Sequence, residues 1–113
     1  MQVQITFRDM PPSETLAARI QTRISKLAKL CPQITSCHVT VDTPHRRPQK
    51  GRLFRVTLDV VLPDAEVAVS RDPGHDHGHE DAYVAVRDAF DALERRLHDH
   101  VALKRAAAAV ALH

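Results

Sequence analysis

The stretch that most constrains this chain is Glu80 to Val101, EDAYVAVRDAFDALERRLHDHV, where the apolar residues keep a helical period for longer than anywhere else in the sequence. Tyr83, Val86, Phe90, Leu93, Leu97 and Val101 follow one another at steps of three or four, so a helix here carries them on one side. Arg87, Asp88, Asp91, Glu94, Arg95 and His98 fall on the other. A helix this one-sided draws most of its stability from burying the stripe, because local propensity alone is too weak. The rest of the chain must therefore supply an apolar surface for it to cover.

That surface is readable upstream. Gln2 to Arg8 alternates Val3, Ile5 and Phe7 with polar neighbours, which predicts a strand with one buried face. Asp9-Met10-Pro11-Pro12 ends it, and Ser13 is placed to cap a helix with Glu14 in its first turn. Leu16, Ile20, Ile24 and Leu27 give that helix an apolar stripe, and Pro32 predicts its end near Leu30. Ile34 to Asp42 alternates through Cys37, Val39 and Val41 as a second strand. Thr43 to Gly51, TPHRRPQKG, reads as an exposed basic loop. Leu53 to Leu62 is the clearest strand, with Phe54, Val56, Leu58, Val60 and Leu62 in alternation. After the Pro63-Asp64 turn, Glu66 to Arg71 returns as a fourth strand with Val67 and Val69 inward, closing a hairpin.

The order is thus β-α-β-β-β-α. The first βαβ unit must be a right-handed crossover between parallel strands, and the short later turns make antiparallel pairs. Alternation in every strand leaves one dry sheet face, so the expected fold is α+β in two layers. A four-stranded mixed sheet carries both helices on one face. A chain of 113 residues is one domain, here residues 1–103, with 104–113 as a short alanine-rich helical tail. The start is polar from Gln2 and no run of eighteen apolar residues occurs, so the expected location is cytoplasmic, with no membrane partner. Cys31 and Cys37 lack CxxC spacing and read as reduced packing thiols.

The net charge of +2 conceals an asymmetry. Residues 1–56 hold ten lysines and arginines against three acids, a net of +7; the remainder holds six against eleven, a net of −5. On the first helix Arg19, Arg23, Lys26 and Lys29 extend over roughly 15 Å at 1.5 Å per residue, with no carboxylate in the helix after Glu14. Like charges along a helix repel by a few tenths of a kcal/mol per pair, so a row without acids favours an external anion. Arg46, Arg47 and Lys50 add charge in the basic loop. Phe7, Phe54, Phe90 and Tyr83 all fall on inward stripes, which favours phosphate contacts with structured RNA over base stacking.

Catalysis finds no support: three glycines make no phosphate-cradling loop, and no Ser-His-Asp arrangement is present. His75, His77 and His79, with Asp76 and Glu80, form the best metal candidate in the sequence. The spacing matches no structural-zinc pattern and the fold needs no metal, so no cofactor is expected. A metal-responsive or other interaction module on this fold is one open reading.

The opening strand VQITFRDM, the capped helix SETLAARI with its later ISKLAKL, and above all EDAYVAVRDAFDALERRL resemble the ribosome hibernation-promoting factors. These are also called ribosome-associated translation inhibitors or sigma-54 modulation proteins. The resemblance spans about residues 2–100 and rests most on the acidic-acidic-x-Tyr-x-Ala helix start and the Leu-Glu-Arg-x-Leu continuation. It implies the same β-α-β-β-β-α architecture, no enzymatic activity, and binding to small-subunit rRNA in the mRNA and tRNA channel that blocks translation under stress. By position it implies rRNA contacts for Arg8, Arg23, Lys26, Lys29, Arg95 and Arg96. The implied partner is the small ribosomal subunit, not DNA. The chain departs from the family pattern at Phe7, Ala92, Asp99 and the histidine-rich segment, which lowers the positive charge of the second helix. It resembles the short form, in which ribosome pairing by an added domain is not expected. An outer sheet face bearing Leu53 and Val61 leaves room for a homodimer without requiring one.

Overall fold

The computed structural model describes residues 1–47, 51–71 and 81–111. Its elements are β1 (Gln2–Arg8), α1 (Glu14–Leu30), β2 (Ser36–Arg47), β3 (Gly51–Val61), β4 (Glu66–Arg71) and α2 (Ala82–Ala111). The sheet order is β1-β2-β3-β4, with β1 and β2 parallel and the other pairs antiparallel. The expected α+β fold, a mixed four-stranded sheet with two helices on one face, is the observed one.

Register explains why the dry face is continuous. Ile5, Val39, Leu58 and Val69 lie side by side across all four strands, and Val3, Cys37, Val60 and Val67 form the next row. Val39, Val41, Val56, Leu58 and Val60 are fully buried beneath Ile20 and Leu27 of α1 and Phe90, Leu93 and Leu97 of α2. Between these rows the opposite face carries Thr6, Thr40, Thr57 and Ser70 in one line and Gln4, His38, Asp59 and Ala68 in another.

Helix α1 begins as its sequence specifies: Ser13 is extended, and its Oγ accepts from the Leu16 N–H at 3.2 Å. It ends one residue before Cys31, whose N–H still bonds the Leu27 carbonyl. The turn leading into it is strained at Asp9, with φ of 58°, a region open to aspartate at modest cost. Thr43 Oγ1 pins that turn by donating to the Asp9 carbonyl at 3.0 Å.

Three boundaries differ from the sequence reading. The stretch from Thr43 to Gly51 is mostly not a loop: β2 continues to Arg47 and β3 starts at Gly51, with Arg46 opposite Arg52 and Arg47 opposite Gly51. The register shifts between Asp42 and His45, at Thr43-Pro44, where proline lacks the N–H a regular ladder needs. Past that irregularity the hairpin resumes. Second, Asp81 caps α2 through a 2.8 Å bond from the Tyr83 N–H, so the helix starts at Ala82 rather than Glu80. Third, the helical tail expected from residue 104 is no separate piece: α2 runs without a break from Ala82 to Ala111.

The extension of α2 is tied back to the sheet. Lys104 Nζ lies 2.9 Å from Asp64 in the β3–β4 turn, and His100 Nε2 lies 3.8 Å from the same carboxyl. The Lys104 hydrogen bond, aided by the charges of Lys104 and His100, holds the Asp64 carboxyl below the usual aspartate range. No helix of the described residues is long and apolar enough to cross a membrane.

Two outcomes follow from this packing. Leu58→Ala, at the centre of the dry face, should cost about 2–5 kcal/mol in urea unfolding. Val61→Ala on the outer face should change stability by less than about 0.5 kcal/mol. Because the folded pKa of Asp64 is lowered, its tie stabilises the fold above the unfolded aspartate range and is lost as pH falls through the folded value. Asp64→Asn should therefore lower Tm at pH 7, and the difference from wild type should vanish on acidification; a deficit that persisted in acid would refute the assignment.

Candidate nucleic-acid interface

The two helices lie side by side and run in the same direction. Arg19 meets Tyr83, Arg23 meets Phe90 and Asp91, and Lys26 meets Glu94. The helical period turns Arg19, Arg23 and Lys26 of α1 toward the groove between the helices, while Lys29 lies farther round the outer surface. On α2, Arg87, Asp91, Arg95 and His98 are all exposed and share the outward side.

This placement corrects the reading of the first-helix cations as a row without acidic partners. Arg23 Nη2 donates to Asp91 Oδ1 at 2.8 Å and lies 3.2 Å from Glu94 Oε1. Lys26 Nζ lies 3.6 Å from Glu94 Oε2. The acids come from a helix 68 residues away in sequence, so α1 alone gives no sign of them. The side chains of Arg23 and Glu94 are only 20% and 14% exposed, which makes this clasp less screened than a surface pair. Arg23 also lays its guanidinium over the Phe90 ring at 5.4 Å.

The remaining site residues divide by location. Arg19, Lys26, Lys29 and Arg95 are exposed on the helical layer. Arg96 points the other way and donates to the Ala68 carbonyl on edge strand β4, so it closes an open sheet edge. Arg8 is exposed at the end of β1, opposite Asp42 in register, and the alternation of the strand puts it on the sheet face away from the helices. Arg46 and Arg47 lie on β2, and Lys50, His75, His77 and His79 lie outside the described residues. Among the described residues no group of three histidine, cysteine or acidic side chains converges as a metal site.

The inward stripe of α2 also needs correction at its start. Tyr83 is 38% exposed, because Ala85 and Ala89 turn inward with Val86 and Phe90 and leave Tyr83 on the flank facing α1. There Arg19 sits over its ring at 5.2 Å. Arg19, Thr22, Arg23, Tyr83, Val86 and Arg87 together line an open cleft of about 290 Å³. Arg87 was not singled out by sequence, although its spacing four residues after Tyr83 could have placed it there.

The outer sheet face has its own polar order. Asp42 is buried and receives two bonds from Arg55, at 3.1 Å from Nε and 2.7 Å from Nη2. His38 Nε2 lies 3.1 Å from Thr6 Oγ1. Glu66 keeps its proton above the usual carboxylate range because it hydrogen-bonds to Asp59 and shares its negative charge. Burial, with the nearby Asp59 charge, pushes the Cys37 thiol up to about 11, so it is a protonated packing residue at neutral pH.

Residues 3–104 match the family described as Sigma 54 modulation protein / S30EA ribosomal protein. The chain belongs to that family. Membership bears out the resemblance carried by the two helices and gives the protein a general association with ribosome hibernation. Among solved structures, the fold is similar to a ribosomal subunit interface protein from Coxiella burnetii, with a TM-score of 0.71 and 18% identity over 90% of this chain and 99% of that one. It is also similar to the N-terminal domain of Thermus thermophilus Protein Y, with a TM-score of 0.65 and 17% identity over 86% and 96% of the two chains. Comparison with curated proteins gives no match. At these identities the solved structures speak for the fold that the family shares.

The clasp makes a direct prediction. Asp91→Asn with Glu94→Gln removes two carboxylates from the groove and frees Arg23 and Lys26, so the variant should leave a heparin column at higher salt than wild type. Stability should fall by about 1–3 kcal/mol, more than for an exposed pair, because Arg23 and Glu94 are largely buried. Unchanged retention would show that the clasp does not limit these cations.

Proposed function

We propose that this protein is a ribosome-associated translation inhibitor that binds small-subunit rRNA in the mRNA–tRNA channel and blocks translation by occlusion under stress. The observation that carries the reading is the family match across residues 3–104. The similarity to a protein named for the ribosomal subunit interface supports the same direction.

The physics of the helical layer is compatible with this role. Arg19 and Lys26 stand exposed at the groove and Lys29 and Arg95 on the outer surface of the same helical layer, and long flexible cations in this arrangement suit phosphates spaced along folded RNA. Shape and charge suffice for such contacts, which need no major-groove reading. Arg23 contributes most as the residue that binds the helices together, and Arg96 as the anchor of β4. Arg8 and the β2–β3 hairpin would form a second contact, on other parts of the surface. Inhibition then follows from occupying the path of mRNA and tRNA, with no bond made or broken.

Purified small subunits in a sucrose gradient test the proposal. The protein should co-sediment at low salt and be released steeply as salt rises, with affinity falling by about one decade per tenfold salt for each phosphate neutralised. Recovery only at the top of the low-salt gradient would reject the proposal. Lys26→Gln, Lys29→Gln and Arg95→Gln together should abolish co-sedimentation with little change in Tm, since the three side chains are exposed. Full inhibition of translation by that variant would move the interface elsewhere.

A further inference from the structure

We propose that the cleft between the first halves of α1 and α2 holds one unpaired nucleotide, with its base against the Arg19–Tyr83 stack and its phosphate on Arg87 and Arg19. This rests on the RNA-binding reading above and adds to it a base contact, where charge and shape alone would call for none.

The lining of the cleft is built for two unlike halves of one ligand. Tyr83, Val84 and Val86 supply an aromatic and apolar wall, while Arg19, Arg23 and Arg87 supply three guanidinium groups. Arg19 lies over Tyr83 with its guanidinium carbon 5.2 Å from the ring centre, a cation–π pair that sets a charged plane beside an aromatic one. Unpaired RNA bases stack on aromatic rings and on arginine planes alike. An acidic peptide would engage the cations and leave the ring and valines unused, whereas a nucleotide uses both.

Charge in the cleft is available to the ligand. Among the described residues no carboxylate pairs with Arg19, whose ring contact is with Tyr83. Among the described residues Arg87 pairs with its neighbour Asp88, at 3.2 Å and with its own side chain 62% exposed, a pair weak enough to yield to phosphate. Arg23 forms the back wall, fixed by Asp91, and its Nε is buried without a hydrogen-bond partner. With Nη2 held by Asp91 and Nε closed off from solvent, Arg23 acts as a fixed wall of the cleft and leaves the phosphate to Arg19 and Arg87.

Size limits the occupant. At about 290 Å³ the cleft is at the low end of small-molecule sites, which run to roughly 300–1,000 Å³. It admits one base and not a run of them. Bases inside an RNA helix are stacked and out of reach, so the nucleotide must come from a loop or bulge or be free in solution.

Small-subunit binding by Tyr83→Leu and Tyr83→Phe tests the proposal and separates its failure from that of the ribosomal reading. Tyr83→Phe keeps the ring and should bind like wild type. Tyr83→Leu should bind about tenfold more weakly with the same dependence on salt, because a stacking contact is lost and no phosphate contact. Dimethyl sulfate probing of the subunit should show one unpaired adenine or cytosine protected by wild type and Tyr83→Phe but reactive with Tyr83→Leu. Equal Tm values for the three proteins keep folding out of the comparison. Wild-type affinity and protection for Tyr83→Leu would overturn the cleft and leave the ribosomal reading standing. If wild type does not bind subunits, AMP titration decides: saturable binding lost in Tyr83→Leu assigns the cleft to a free nucleotide, and no binding overturns it.

Discussion

The fold depends on a single constraint, the continuous dry face made when four strands of alternating polarity pair in one register. Ile5, Val39, Leu58 and Val69 form a row across the sheet only because β1 and β2 are parallel and in step, and because β2, β3 and β4 return antiparallel without a slip at that level. A shift of one residue in any strand would send its valines to solvent and its threonines inward. Two helices are the least that can cover such a face. Their side-by-side arrangement is therefore a consequence of the sheet, and with it the groove that gathers the charged residues.

Within the groove, packing and charge serve different ends. Arg23 is held on three sides, by the Phe90 ring and by the Asp91 and Glu94 carboxylates, and most of its side chain is out of water. Removing that residue would strip Asp91 of its partner and leave the largely buried Glu94 with the longer contact to Lys26, so its loss would confuse folding with binding. The cations suited to an outside partner are those the clasp does not consume, Arg19, Lys29 and Arg95, together with Lys26, whose link to Glu94 is long and exposed. Position in a charged row is a poor guide to which of its members face a ligand.

How much was legible follows from the range of each interaction. The cap at Ser13, the end of α1 before Pro32, the β4 hairpin and the stripe of α2 are set by neighbours within a few residues, and all were visible in the sequence. The continuation of β2 and β3 toward the tip was hidden because Pro44 and Gly51 are turn residues, while the ladder that carries β2 past Pro44 to Arg47 and begins β3 at Gly51 depends on cross-strand pairing. The clasp was hidden for a stronger reason. It needs the rotation of both helices about their axes, which the sheet fixes and no local pattern records. Tyr83 belongs to the same class: it is at helical spacing from Phe90, yet the small Ala85 and Ala89 let the sheet approach on one side and turn the tyrosine toward α1.

The acids of α2 then acquire a physical role. A helical layer with only cations would repel itself, lower the stability of the helix pair and bind any polyanion without preference. Asp91 and Glu94 relieve that repulsion, and they hold Arg23 at the wall of the cleft where a flexible arginine would otherwise sample many positions. The cost is a weaker long-range attraction for any polyanion. Under the RNA-binding role proposed above, fewer free cations would place more weight on the shape of the groove and on short-range contacts at Arg19 and Tyr83. The mixed charge of the second helix is in this light a balance struck between charge and fit, set by the packing of α2 against α1.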